Sequence, residues 1–127
     1  MQKHILVVDD SPTIRSSVSF CLRNAGYEVA VAADGQDALE TLNTMRKEGT
    51  VPSLILTDIN MPRMDGITFI SKVKKTEFKF LPILVLTTES ERDMIEKGKA
   101  AGASGWLIKP FHPEQLLWAI KKLMWTK

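Results

Sequence analysis

Short apolar runs alternate along the chain with segments whose apolar residues recur at helical spacing. The runs are ILVV (5–8), YEVAVAA (27–33), LIL (54–56), ILVL (83–86) and WLI (106–108). The first, third and fourth are continuously apolar, as strands covered on both faces of a parallel sheet must be. The second alternates more, which suits an edge strand.

The intervening segments read as amphipathic helices. Ser11 and Pro12 form an N-cap and a first helical position, and Ile14, Val18, Cys21, Leu22 and Ala25 make one stripe closed by Gly26. Asp34 is placed to cap a helix carrying Ala38, Leu39, Leu42 and Met45, and Asp65 one with Ile67, Ile70 and Val73 inward. Ser90 with Asp93 resembles a capping box for a fourth helix. Its stripe is thin (Met94, Ile95 and Ala101, with Gly98 between), so it should be the least firmly docked. His112 and Pro113 open a fifth with a strong stripe of Leu116, Leu117, Ile120, Leu123 and Met124. Five strand–helix units in strict alternation predict an α/β sandwich around a parallel sheet with right-handed crossovers.

The 127 residues suffice for one domain with its own core and are too few for two. Hydrophobic residues at 44% and charged ones at 25% are the balance of a globular protein, and no apolar run approaches a membrane span. The acids at 9 and 10 directly after the first run rule out a signal peptide. A single cysteine, Cys21, allows no internal disulfide and fits a cytoplasmic setting; its place on a helix stripe reads as a structural thiol. The net charge is +2, and clusters such as KVKK (72–75) are broken by core positions, so they read as solvated helix faces rather than a nucleic-acid footprint.

Candidate chemistry gathers at the strand ends. Asp9 and Asp10 follow the first run, Asp58 the third, Thr87 and Thr88 the fourth, and Lys109 the fifth. In a parallel sheet these side chains emerge at one edge, where ligands of such folds bind. Any one acid at a strand end is ordinarily a cap or turn residue; acids, hydroxyls and a lysine converging from four strands are harder to explain that way. Three carboxylates in one pocket repel unless a cation compensates, and an all-oxygen donor set selects Mg²⁺, or Mn²⁺, over zinc. Such a site keeps coordination positions open for a phosphate oxygen, with Lys109 as a further charge and a threonine hydroxyl as donor. A carboxylate there can act as nucleophile and hold an aspartyl phosphate. The chemistry leaves open which of the three acids that is.

The segments VVDD, LTDINMPRMDG, LTTES and GASGWLIKPF, each at its strand end, resemble a response-regulator receiver domain along the whole chain, residues 1–127. The resemblance implies a flavodoxin-like doubly wound (βα)5 fold with strand order 2-1-3-4-5. It implies Asp58 as phosphoacceptor, Mg²⁺ held by Asp9, Asp10, Asp58 and the backbone carbonyl of Asn60, and Lys109 paired with the phosphoryl group. Asp10 would be the direct ligand and Asp9 would act partly through water. It implies a cis Lys109–Pro110 bond, a Thr87 switch hydroxyl, and Trp106 at the switch position where Tyr or Phe is usual. Asn60, Thr88 and Glu89 would tune dephosphorylation, the polar Asn60–Glu89 pair permitting fairly rapid loss of phosphate. Such a domain transfers phosphate to itself and hydrolyses it, and is otherwise not an enzyme.

Other classes fit less well. Phosphatases of the haloacid-dehalogenase type need a second acid two residues after the nucleophile, where this chain has Asn60. Flavodoxin needs a glycine-containing phosphate loop after the first strand, and DDSPT has none. Within the family, the segments TTES, GKAAGASGWLIKPF and PEQLL together most resemble stand-alone CheY-type chemotaxis regulators. These take phosphate from a histidine kinase of the CheA kind and act on a flagellar motor switch protein or a phosphatase. The alternative is a phosphorelay shuttle or a receiver cut from a larger regulator. Trp118 and Trp125 point away from the fifth helix's apolar stripe and are flanked by Lys121 and Lys122. With Trp106 and Lys122 they are the expected partner surface, for a target or for a phosphorylation-dependent homodimer.

Overall fold

The structure, a computed structural model, describes residues 3–125, the side chain of Trp125 excepted. Five strands alternate with five helices: β1 (His4–Val8), α1 (Pro12–Asn24), β2 (Glu28–Ala32), α2 (Gly35–Glu48), β3 (Leu54–Thr57), α3 (Gly66–Val73), β4 (Ile83–Thr87), α4 (Arg92–Ala101), β5 (Gly105–Ile108) and α5 (Pro113–Trp125). The strands form one parallel sheet in the order β2-β1-β3-β4-β5, a flavodoxin-like arrangement. The continuously apolar strands β1, β3 and β4 are the inner ones; β2 and β5, at the edges, are only partly buried.

Side-chain alternation along the inner strands divides the core in two. Ile5, Val7, Leu54, Leu56, Leu84 and Leu86 pack with Val18 and Leu22 of α1 and Leu116 and Ile120 of α5. Leu6, Val8, Ile55, Ile83 and Val85 pack on the other face with Ala38 and Leu42 of α2 and Phe69, Ile70 and Val73 of α3. Phe69, among the largest fully buried side chains, lies outside the stripe expected for this helix; Ile67 is half-buried in its stead. Cys21 is half-buried, and burial pushes its thiol pKa up, away from the reactive thiolate.

Three helix starts are capped as the sequence indicates. Ser11, Asp34 and Asp65 accept hydrogen bonds from the backbone N–H groups of Ile14, Asp37 and Thr68 at 3.2, 2.9 and 2.9 Å. The Ser90 capping box does not form. α4 begins at Arg92, its N-cap is Glu91, and no side chain caps it. Ser90 therefore stands one residue too early for its hydroxyl to meet the first free N–H groups. Of α4's residues only Gly98 is buried, in keeping with its thin stripe.

The register carries the strand ends to one edge. Val8 pairs with Thr57, so Asp9 and Asp58 leave adjacent strands side by side. Thr87 pairs with Ile108, which brings Lys109 to the same level. α3 starts directly behind this edge: the Gly66 N–H donates to the Ile59 carbonyl at 2.8 Å, and a Cβ at Gly66 would collide with the Asp58 carbonyl oxygen. Gly66→Ala is expected to cost about 2 kcal/mol, the scale of overpacking a tight contact, measured as a fall in urea midpoint. An unchanged midpoint would show that α3 can back away from the end of β3.

Candidate functional site

Asp9, Asp10 and Asp58 each offer a carboxylate oxygen, and these oxygens lie within 4.8 Å of one another. Asp9 is buried, Asp58 half-buried and Asp10 exposed, so the group opens to solvent on the Asp10 side. Lys109 enters from β5. Its Nζ stands 2.9 Å from Asp9 Oδ2 and 3.2 Å from Asp58 Oδ2, bridging the ends of β1 and β3. Burial works against the charge on Lys109, but the hydrogen bond and charge of Asp9 and the charge of Asp58 outweigh it, and its pKa is raised. The Lys109–Pro110 peptide is cis.

The remaining contacts fix the carboxylates. Asp9 Oδ1 accepts the Ser11 backbone N–H at 3.0 Å, and its carbonyl accepts Arg15 Nη1 at 2.6 Å. Asp58 Oδ1 accepts the backbone N–H of Ile59 at 2.6 Å. One ammonium among three carboxylates leaves a local excess of negative charge with only hard oxygen donors, a set that fits Mg²⁺. Asn60, whose carbonyl was expected at the metal, lies exposed two residues beyond Asp58.

The expected tuning and switch residues stand around this centre. Asn60 Nδ2 donates to Glu89 Oε2 at 3.2 Å, bringing that pair together, and Thr88 is exposed. The Thr87 hydroxyl is fully buried and accepts the Glu89 backbone N–H at 3.3 Å. Trp106 is half-buried, its indole N–H donating to the Glu89 carbonyl at 2.9 Å. A Cβ at Gly98 would overlap the Trp106 ring, so the glycine in α4 is the space that the indole fills. Trp118 is 65% exposed, with Lys122 Nζ 4.8 Å from its ring centroid. Trp106, Trp118 and Lys122 line one groove of about 650 Å³ between β5 and α5. Trp125, the fourth residue of that expected surface, has its side chain outside the described residues.

Sequence reasoning missed Arg63. It lies in the loop after Asp58, at φ 64°, and its guanidinium grips the Asp34 carboxylate through two hydrogen bonds of 2.9 and 3.2 Å. That guanidinium, more than the opposing burial, holds the Asp34 carboxyl below its ordinary range. Arg15 was missed too; its place one turn after the Ser11 cap, facing the end of β1, was the available signal.

Comparison with known proteins agrees with this geometry. Residues 5–121 match the family model described as the response regulator receiver domain. The chain is 44% identical to the chemotaxis response regulator CheY4 of Vibrio cholerae, covering 97% of this chain and 99% of that one, with a TM-score of 0.88. The receiver domain of the sensor histidine kinase PA1611 of Pseudomonas aeruginosa, solved with a magnesium ion in its active-site cleft, is 27% identical. That match covers 99% of this chain and 100% of the other, with a TM-score of 0.88. The transcriptional regulatory protein PdtaR of Mycobacterium tuberculosis is 39% identical over 120 residues, 94% of this chain and 55% of that protein. The chain spans about half the length of the first curated relatives it matches. Among the described residues no helix is long and apolar enough to cross a membrane.

The raised Lys109 pKa fixes the sign of a pH dependence. Its ion pairs stabilise fully below the unfolded lysine pKa, about 10.4, and are lost as pH rises through the higher folded value. Denaturation midpoints should therefore fall in that alkaline window, and the fall should vanish in Lys109→Met. That variant should itself lose about 3 kcal/mol at neutral pH, because the buried Asp9 and the half-buried Asp58 are left without their cation.

Proposed function

The chain belongs to the response-regulator receiver family of two-component systems, and on that premise we propose that it is phosphorylated on Asp58 by a histidine kinase. The observation that carries this reading is the Lys109 ammonium bridging Asp9 and Asp58, with Asp10 beside them. Asp9, Asp10, Asp58 and the Asn60 carbonyl would hold Mg²⁺, which supplies positive charge for the phosphoryl oxygens. An oxygen of Asp58 attacks the phosphorus, and the phosphorus–nitrogen bond of the phosphohistidine breaks, its electron pair leaving on the imidazole. Lys109 then shifts its charge from carboxylate to phosphoryl oxygen. Ile59 N–H and the packing behind Asp58 keep the carboxylate aimed.

Loss of the phosphate needs a water in line with the phosphorus. The exposed Asn60–Glu89 pair and the small Thr88 leave that approach open and polar, which supports a short-lived phosphoryl group. The Thr87 hydroxyl and Trp106 carry the signal to the surface of α4, β5 and α5. Output goes to a noncovalent partner through the groove of Trp106, Trp118 and Lys122, in a cytoplasmic CheY-type chemotaxis system served by a CheA-type kinase. The 44% identity to CheY4 over nearly the full length of both chains supports that choice. The greater length of PdtaR favours a second reading, the receiver part of a longer regulator.

Acetyl phosphate or phosphoramidate with Mg²⁺ should label the wild type on Asp58. Asp58→Asn should not be labelled, and Asp10→Ala should lose its metal dependence. Labelling of Asp58→Asn at the wild-type level would overturn the assignment.

The partner surface has its own test. Trp118→Ala should leave the denaturation midpoint nearly unchanged, since the indole is mostly exposed. It should weaken binding to a motor-switch segment, or the dimer formed with beryllofluoride and Mg²⁺, measured by sedimentation. A variant that loses stability but keeps its affinity would assign the indole to the core.

A further inference from the structure

The loop between Asp58 and α3 is tied down at two levels. Its ends are closed by the bond from Gly66 N–H to the Ile59 carbonyl, at 2.8 Å. Its tip turns through Met64 N–H to the Pro62 carbonyl, at 2.6 Å, and lies against the first turn of α2. There Met64 packs so closely on Gly35 that a Cβ would stand 2.9 Å from its Cγ and Sδ. Beside it, Arg63 grips Asp34 with Nε and Nη2. Asn60 lies between these two fixings.

Arg63 is held in a conformation that it does not favour. Its φ of 64° is left-handed, and the other left-handed positions among the described residues, Gly26, Gly49 and Gly102, are all glycines. Glycine would suit the backbone at 63 as well; what it could not supply is the planar fork that matches a carboxylate. Asp34 is itself rigid: its side chain is 7% exposed, and Oδ1 also accepts the Asp37 N–H that starts α2. A 60% exposed arginine of the loop is thus fastened in two-point geometry to the fixed acid that caps α2.

We propose that Arg63 is a positioning residue: its clamp on Asp34 fixes the acceptor loop to α2 so that the Asn60 carbonyl is presented to the cation. This rests on the phosphoacceptor reading above. The arginine end of the pair is mostly exposed and screened by solvent, so its contribution to global stability is modest although Asp34 is buried. Its effect is on where the loop stands, and therefore on metal affinity.

Two variants separate geometry from folding. Arg63→Gly removes the fork while relieving the left-handed backbone, and Asp34→Asn removes the charge while keeping a side chain that caps α2. Both should raise the Mg²⁺ concentration at half-saturation about tenfold, as loss of a partner behind a metal ligand does. Mg²⁺ alone is the probe, followed by calorimetric titration. Amide exchange of residues 59–66 should quicken, and in Asp34→Asn, which leaves no buried charge unpaired, the thermal midpoint should fall only slightly. Arg63→Lys, a point charge without the fork, should fall between. Wild-type affinity and exchange in both variants would overturn the clamp alone. So would an affinity loss that merely follows a large fall in thermal midpoint. A wild-type chain that binds no Mg²⁺ would overturn the phosphoacceptor reading, and with it any role for the clamp in metal binding.

Discussion

The edge of the sheet depends on one ammonium. The parallel register sets Asp9 and Asp58 side by side, and Asp10 lies within 4.8 Å of them. Two unit charges at that distance repel by on the order of 3 kcal/mol at an effective dielectric of about 20. Three such pairs approach the whole stability of an ordinary domain. Lys109 offsets this from β5, a half-buried edge strand that contributes less to the core than the inner strands it serves. The balance is incomplete by design of the donor set: one positive charge faces three negative ones, and the remainder gives a hard cation a reason to enter. Lys109 stabilises the folded chain, and the negative charge that it leaves uncompensated suits the edge to a cation.

Each loop around that edge is anchored to something outside it. Arg15 of α1 holds the carbonyl of Asp9, Arg63 ties the loop after β3 to α2, and Trp106 holds the loop after β4 through the Glu89 carbonyl. Gly98 belongs to this last arrangement. A glycine inside a helix costs about 1 kcal/mol relative to alanine, and here its reason is steric, since any Cβ would meet the indole. α4, otherwise weakly buried, is therefore keyed to β5 by the shape of one ring.

Much of this was legible in the sequence because it is written in local patterns. Continuous apolar runs mark strands buried on both faces, and the strands so marked are the inner ones. Side-chain caps at Ser11, Asp34 and Asp65 act within three residues of themselves, so sequence contains all their partners. The convergence of Asp9, Asp10, Asp58 and Lys109 on one edge followed from the parallel alternation of strands and helices, and the order of those strands from the family resemblance. What escaped was set by tertiary context. Ser90 looks like a cap, but the path of the chain out of β4 starts α4 one residue further on. Phe69 is buried because the α3–sheet contact is wider than one stripe. The Arg63–Asp34 pair spans 29 positions, and nothing in MPRMDG announces a left-handed arginine or its distant acid.

Glu89 shows how tightly the two halves of the site are joined. Its backbone N–H is bound to the Thr87 hydroxyl, its carbonyl to the Trp106 indole, and its carboxylate to Asn60, two residues beyond Asp58. In the proposed switch, a Thr87 hydroxyl that turned toward Asp58 would give up the first of these bonds. Once that bond is lost, the second and third no longer have the same fixed residue between them. Each is worth about 1 kcal/mol, so none alone would hold a switch; their shared residue makes them fail or persist together. The indole lies directly against Gly98, where any Cβ would overlap the ring. In the proposed switch, a small rotation at the buried Thr87 hydroxyl would be felt at the surface through these shared contacts, as close-packed interiors transmit small displacements.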